Sequence, residues 1–314
     1  MTIKTAVFGE ALFDLIEQHD KSLQAFIGGS PFNVARSFAK QGIAVDYLSP
    51  ISIDEYGKRI FDYALSENIS VPANNRSSLP TSLALVYKDE NGQPDYRLYR
   101  KHIADLDITA KQLMALVNDE LDLFHTGSLT LVPDMLSTLK PCFEQLKAKG
   151  IIISVDINMR KGVEADNDAY VNAVLALLPY ADIVKVSDED LSLLGITAAP
   201  LEGAKQILAK LTNGMVLLTQ GEHGATLLSN NVEIQRPVFT PTEFVDAVGA
   251  GDTFFSAFLA NLLSHSANKG AFTHSELEQA LVFGLMAATL NVEKNGCQPP
   301  TAQDVIEALA QRNN

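Results

Sequence analysis

The sequence predicts an α/β fold: a mostly parallel central sheet flanked by helices, with a small β-sheet attached. Three observations predict it. Short β-rich runs alternate with helical patterns, two stretches interrupt that alternation, and small or polar residues follow the strand-like runs. In chain order, TAVFG (residues 5–9) comes first and leads to a helix over residues 31–41. There Ser30 can cap, Pro31 suits the first helical position and Gly42 fits the stop. LDLFHTG precedes a helix over residues 134–149, and IIISVDIN, IVKVS and MVLLTQG are each followed by a helix-like segment. Such alternation implies parallel βαβ units, whose ligands collect at the carboxyl ends of the strands. Gly9, Gly127, Asn158, Ser187 and Gly221 all fall at or just beyond such ends.

Residues 10–28 and 80–101 break the rhythm. Within the second, SLALVYKDENGQPDYRLYRK reads as a hairpin turning at Asn91-Gly92. No crossover helix separates these strands, so they form a small β-lid able to cover a bound molecule and exclude water; a plain edge hairpin is the alternative.

The whole chain sets limits on function. Its 314 residues, 46% of them apolar and 20% charged, suit a core-forming protein without repeats or linkers. A net charge of −14 argues against a nucleic-acid surface. MTIKTAVFGE has no apolar signal core and LVFGLMAATLNV is too short to cross a bilayer, so the expectation is a cytoplasmic protein without a membrane partner. Cys142 and Cys297 lie in dissimilar segments and support neither a disulfide framework nor a metal site.

Two constellations carry chemistry. DAVGAGD (residues 246–252) runs into TFFSAFLANLLS, where Phe254, Phe255, Phe258, Leu259, Leu262 and Leu263 recur at the spacing of one buried helical face. A helix therefore begins near Asp252, and its first amides together with the helix dipole can bind an anion that Gly249, Ala250 and Gly251 let come close. A carboxylate would repel a phosphate, so Asp252 makes sense facing a hydroxyl with a proton to give up; an ordinary N-cap is the alternative. The second constellation is GGSPFNVARSFAKQG (residues 28–42), with Val34 and Phe38 as a buried stripe. Asn33 sits in the first turn beside Gly28-Gly29, where a backbone can approach a ligand, and its amide offers the donors and acceptor that sugar hydroxyls require. A solvated helix residue is the plainer reading.

Together these stretches resemble the two signatures of the ribokinase-like, or PfkB, family of carbohydrate kinases, in the expected order, and the similarity runs from about Ala6 to Ile306. The resemblance implies one domain over residues 1–314, a three-layer αβα sandwich with a mostly parallel central sheet and a β-sheet lid inserted at about 10–28 and 80–101. It implies transfer of the γ-phosphoryl group of ATP to a sugar hydroxyl, with Mg²⁺. On that reading Asp252 is the general base and the amides of Gly249, Ala250 and Gly251 hold the phosphoryl oxyanions. GEALFD (residues 9–14) resembles the family's opening, in which an aspartate matching Asp14 binds sugar hydroxyls. TQGEHGA (residues 219–225) resembles the nucleotide-site turn, placing Thr219, Gly221 and Gly224 beside ATP, although a simple β-turn has the same look.

KVSDEDLSLLG aligns with the family's Asn-x-x-Glu element as Ser187-x-x-Asp190, implying nucleotide contact by Ser187 and water-mediated contact of Asp190 with Mg²⁺. Asp188, Glu189 and Asp190 could equally just complement a helix dipole. AATLNVEKNGCQPPT resembles the helix and loop beside adenine and brings Asn291 to the cofactor. Members activated by a monovalent cation use an aspartate matching Asp246; Pro300 stands where some have serine, so K⁺ stays open.

YRLYRKHIADLDI (residues 96–108) and HTGSLTL (residues 125–131) are similar to bacterial fructokinases, with Leu98-Tyr99-Arg100 and Ala104-Asp105 at the expected places. Gly-Ser-Pro-Phe-Asn stands where ribokinases tend to carry Gly-Lys-Gly-Ala-Asn. The implied acceptor is D-fructose, with 2-keto-3-deoxygluconate as the alternative, whose carboxylate Arg100 and Arg160 could grip in bidentate fashion. Fructokinases usually show a tryptophan shortly after the arginine matching Arg160, and this chain has none. A sugar-binding regulatory protein that has lost catalysis is the reading from another class, and the intact GAGD speaks against it. Exposed lid faces in this family often form a homodimer.

Overall fold

The computed structural model describes residues 3–18, 20–88, 94–265 and 271–312. Strand β1 (Lys4–Phe8) opens the central sheet, and the chain leaves it for the antiparallel pair β2 (Leu12–Glu17) and β3 (Leu23–Gly28). Helix α1 (Ser30–Lys40) returns it to β4 (Ala44–Tyr47), parallel to β1. A short pair, β5 (Ile51–Ser52) and β6 (Arg76–Ser77), flanks α2 (Glu55–Ser66), after which β7 (Ser82–Lys88) and β8 (Pro94–Tyr99) complete the small sheet in the order β3-β2-β7-β8. The expected turn at Asn91-Gly92 lies outside the described residues, but the antiparallel pairing of β7 with β8 agrees with a hairpin.

The rest of the sheet follows by alternation: α3 (Ala110–Leu116), β9 (Leu123–Gly127), α4 (Leu136–Ala148), β10 (Ile152–Asp156), α5 (Asn167–Leu177), β11 (Ile183–Ser187), α6 (Asp188–Leu193), α7 (Pro200–Leu208) and β12 (Met215–Thr219). One expectation fails here. MVLLTQG is not followed by a helix: Gly221 and Gly224, at φ 51° and 97°, reverse the chain into the antiparallel strands β13 (Ala225–Ser229) and β14 (Val232–Arg236). The helical pattern after that stretch belongs to α8 (Ala250–His265), followed by α9 (His274–Val292) and α10 (Ala302–Arg312).

Period-two alternation makes the layers. Ala6, Phe8, Phe124, Ile153, Val155, Val184 and Val216 point into one core with residues of α3, α4, α5 and α7, while Val7, Leu123, Ile152, Ile183 and Leu217 point into the other with α1, α2, α8 and α9. The eight strands run β14-β13-β12-β11-β10-β9-β1-β4, and β4 through β12 are parallel. Strand order reverses between β1 and β9, so a crevice opens beyond their carboxyl ends. The small sheet rests there on a cluster of Leu12, Ala84 and Leu129, joined by Leu98 and Val163. Cys142 and Cys297 are free thiols, and among the described residues no helix is long and apolar enough to cross a membrane.

Candidate active site

At the start of α8 the chain makes a tight turn. Asp246 accepts hydrogen bonds from the amides of Val248 (3.0 Å) and Gly296 (2.9 Å), which closes the turn and ties it to the C-terminal loop. Gly249 has φ 73°, and a Cβ there would overlap the Cys297 side chain. The Ala250 amide is spent on the Ala247 carbonyl at 3.1 Å, and the amides of Gly249, Gly251 and Asp252 are among the donors here with no acceptor among the described residues.

Asp252 is 7% exposed. Its Oδ1 accepts from Ser30 Oγ at 2.7 Å and its Oδ2 from Asn33 Nδ2 at 2.9 Å. Ser30 was expected to cap α1, but the cap position is Gly29, at φ 107°, and no side-chain cap bond forms; Ser30 lies inside the first turn with its hydroxyl turned to Asp252. Asn158 Nδ2 in turn donates to Ser30 Oγ at 2.8 Å. Beneath the turn lies Lys185, 5% exposed, its Nζ at 2.8 and 3.0 Å from the oxygens of fully buried Asp156. A Cβ on Gly251 would stand 3.3 Å from Lys185 Cε and 3.4 Å from its Nζ, so the ammonium lies close under the turn and a larger residue there would press on the lysine. Burial pushes the Lys185 pKa down, but the carboxylates of Asp156, Asp190 and Asp252 outweigh it and hold the ammonium above its ordinary value.

The small sheet supplies the facing wall. Burial raises the Asp14 carboxyl to about 6, with the Arg160 guanidinium pulling it down. Gly28, on the paired strand, leaves the space that the Asp14 carboxylate fills, and a side chain on Gly29 would overlap the Glu10 carbonyl. Asp14, Gly28, Asn33, Arg36, Asp246 and Cys297 line one cavity of about 980 Å³. The two signatures thus meet at a single space. Thr219 pairs with Ser187 at adjacent strand ends, with Gly221 and Gly224 in the following turn.

Other expected ligands are placed differently. Arg100 is buried and engaged by the protein itself: Nη1 donates to Asp105 (2.8 Å) and Ser82 (2.9 Å), and Nη2 to the Leu129 carbonyl (3.4 Å). Arg160 is exposed. Asn291 is fully buried and staples the turn, donating to the Val248 carbonyl at 2.9 Å and accepting from the Gln298 amide at 2.8 Å. Asp190 forms a capping box with Ser187 through one oxygen, and its other oxygen accepts from the Met159 amide at 2.7 Å. Asp190 and Asp246 therefore both serve the backbone, and among the described residues no cluster of three His, Cys, Asp or Glu could hold a metal ion. A hydrated Mg²⁺ carried by nucleotide phosphates needs no such cluster, only one or two carboxylates within reach of its water shell.

Sequence reasoning missed Glu10 and Lys185, took Ser30 for a cap, and marked Asn158 only as lying at a strand end where ligands collect. Lys185 had a signal, a lone lysine inside the apolar strand IVKVS. Glu10 is 1% exposed, accepts from the Ser30 amide (3.3 Å) and Thr130 Oγ1 (3.4 Å), and is raised to about 7 by burial, with Arg100 acting against the rise.

The model of the pfkB family carbohydrate kinases matches residues 2–304. The chain belongs to the PfkB family. Relatives of this PfkB kinase include the fructokinase of Rhizobium leguminosarum bv. trifolii, 31% identical over 265 residues that cover 81% of this chain and 78% of the relative. The Vibrio alginolyticus fructokinase is 27% identical over 312 residues, covering 97% of this chain and 98% of the relative. The fold is shared with Xylella fastidiosa fructokinase with bound ATP, at a TM-score of 0.90 and 22% identity over 100% of both chains. It is also shared with a Vibrio cholerae O395 fructokinase double mutant in a fructose, ADP and potassium ion bound form, at a TM-score of 0.83 and 21% identity over 98% of both. This PfkB kinase is thus a carbohydrate kinase, a phosphotransferase with a ribokinase-like fold.

Proposed function

We propose that this PfkB kinase transfers the γ-phosphoryl group of ATP to a hydroxyl of D-fructose, giving fructose 6-phosphate and ADP. One observation carries the reading: a buried carboxylate, Asp252, stands at a helix start with free amides beside it, hydrogen-bonded to Asn33, which lines the same cavity as Asp14. In the proposed reaction Asp14 and Asn33 hold the sugar, and the attacking hydroxyl passes its proton to Asp252. The hydroxyl oxygen bonds to the γ-phosphorus while the bond to the bridging oxygen breaks, its electrons leaving with ADP. The Gly249 and Gly251 amides hold the oxygens of the transferred group, and the Lys185 ammonium beneath the turn adds positive charge from behind it. Ser187, Thr219, Gly221 and Gly224 border the nucleotide.

The fructokinase relatives favour fructose, and ATP and ADP appear with their structural neighbours. Arg100 is committed to Asp105, which weakens the 2-keto-3-deoxygluconate alternative that would use it as a carboxylate clamp. Exposed Ile16 and Phe26 share the Asp14 face of the small sheet and suit a homodimer through that sheet, which light scattering measures directly.

The test is ADP release with Mg-ATP and D-fructose, 2-keto-3-deoxygluconate, ribose or no sugar at equal concentration. Fructose-dependent turnover is expected. Turnover only with the keto-acid would replace the acceptor, and none with any sugar would leave a binding protein.

A further inference from the structure

We propose that Ser30 and Asn158 are positioning residues for the catalytic carboxylate, a two-step hydrogen-bond chain that fixes where Asp252 receives the substrate proton. This rests on the reading of Asp252 as the base. The direction of the chain follows from valence. A carboxylate only accepts, so the single proton of Ser30 is committed to Asp252 Oδ1 at 2.7 Å. The atom of Asn158 that meets Ser30 Oγ at 2.8 Å must then be its amide nitrogen, a donor. With Asn33 on Oδ2, the carboxylate has one donor on each oxygen and its plane is set. One lone pair on each oxygen remains for an incoming hydroxyl.

The far end of the chain is itself anchored. Asn158 has φ 36°, a left-handed backbone that asparagine adopts more readily than most residues and that neighbours can hold in place. Here they do: the Ile157 amide donates to the Lys185 carbonyl at 3.0 Å and the Met159 amide to Asp190 Oδ1 at 2.7 Å. Asp190, capping α6, thus holds the turn that aims Asn158 at Ser30. A cap role cannot account for Ser30, because the cap position belongs to Gly29.

The experiment compares Ser30→Ala, Ser30→Thr, Asn158→Ala and the Ser30→Ala/Asn158→Ala double variant, using the acceptor that wild type turns over fastest. Ser30→Ala is expected to lower kcat by roughly tenfold to a hundredfold, the scale of a misplaced catalytic group. Both KM values and the melting temperature should stay near wild type, and Ser30→Thr, which keeps the hydroxyl, should recover most of the rate. Asn158→Ala should lower kcat by less, and nothing further should be lost when it is added to Ser30→Ala, since one chain has already been cut. Additive losses, or a raised sugar KM at unchanged kcat in Ser30→Ala, would overturn the proposal. Asp252→Asn, assayed beside them, separates the premises. If Asp252→Asn is inactive while Ser30→Ala is fully active, the chain fails and the base stands; if Asp252→Asn is active, or no acceptor turns over, both fall.

Discussion

Asp252 receives its two hydrogen bonds from side chains 222 and 219 positions upstream, so its chemistry is assembled by the fold. Asp252→Asn keeps the shape and removes the base: kcat is expected to fall by at least ~10²-fold, the usual contribution of general-base catalysis, with sugar binding by calorimetry little changed. Asp14 gives a pH dependence. Its carboxyl stands at about 6, and the ionised form accepts hydroxyl protons on both oxygens in charge-assisted hydrogen bonds, so sugar affinity should weaken as pH falls from 7 to 5. In Asp14→Asn the affinity should be poor and flat across that range; a wild-type affinity independent of pH would remove Asp14 from the sugar. Asp252 and Asn33 were readable because helix periodicity and glycine placement are local. Arg100, Asp190 and Asn291 were expected as ligands from the family resemblance, and the structure adds protein partners for each that the sequence does not show. Ser30 was misjudged for the same reason.

Among elements, the turn before α8 leans on the loop after α9, and Gly249 is where they touch. Gly249→Ala meets two penalties, a φ of 73° and overlap with Cys297. Strain of this kind costs of order 1–3 kcal/mol, and urea unfolding should show that loss together with lower activity. Cys297→Ala should not rescue it, because the Cβ of residue 297 also stands too close; full rescue would mean that sulfur alone was the obstacle. The helices α1 and α8 were legible from Pro31, Gly42 and apolar stripes, and the small sheet's strands from the break in the strand–helix rhythm. The β13–β14 hairpin was not. A strand followed by Gly-Glu-His-Gly looks like the start of another crossover until Gly221 and Gly224 are seen at positive φ, turning the chain back on itself.

For the molecule as a whole, buried acids make stability depend on pH. Glu10 rises from an ordinary 4.5 to about 7, so the folded protein binds more protons than the unfolded chain in that window. Its contribution is therefore present below the unfolded pKa and is lost as pH rises through about 7, amounting to something on the order of 3 kcal/mol. Glu10→Gln should be stabilised relative to wild type at pH 8 and not at pH 4, as read by urea unfolding; an equal difference at both would rule the group out. Closure makes a further demand on the whole fold. The small sheet brings Asp14 to the cavity that the α8 turn also lines, so ATP hydrolysis without sugar should run at a small fraction of the sugar-dependent rate, and brisk hydrolysis would mean that water enters as readily as substrate. The chain divides these tasks by position. Asp14, Gly28 and Asn33 fall within twenty consecutive residues, whereas Lys185, Asp252 and the nucleotide-side turns come from residue 185 onward. On the proposed reading the sugar-facing residues thus sit in a short N-terminal cassette, but Ser30 and Asn33 in the same stretch also hold Asp252, so exchanging only β2 and β3, residues 12–28, offers a way to change the sugar while that carboxylate keeps its partners.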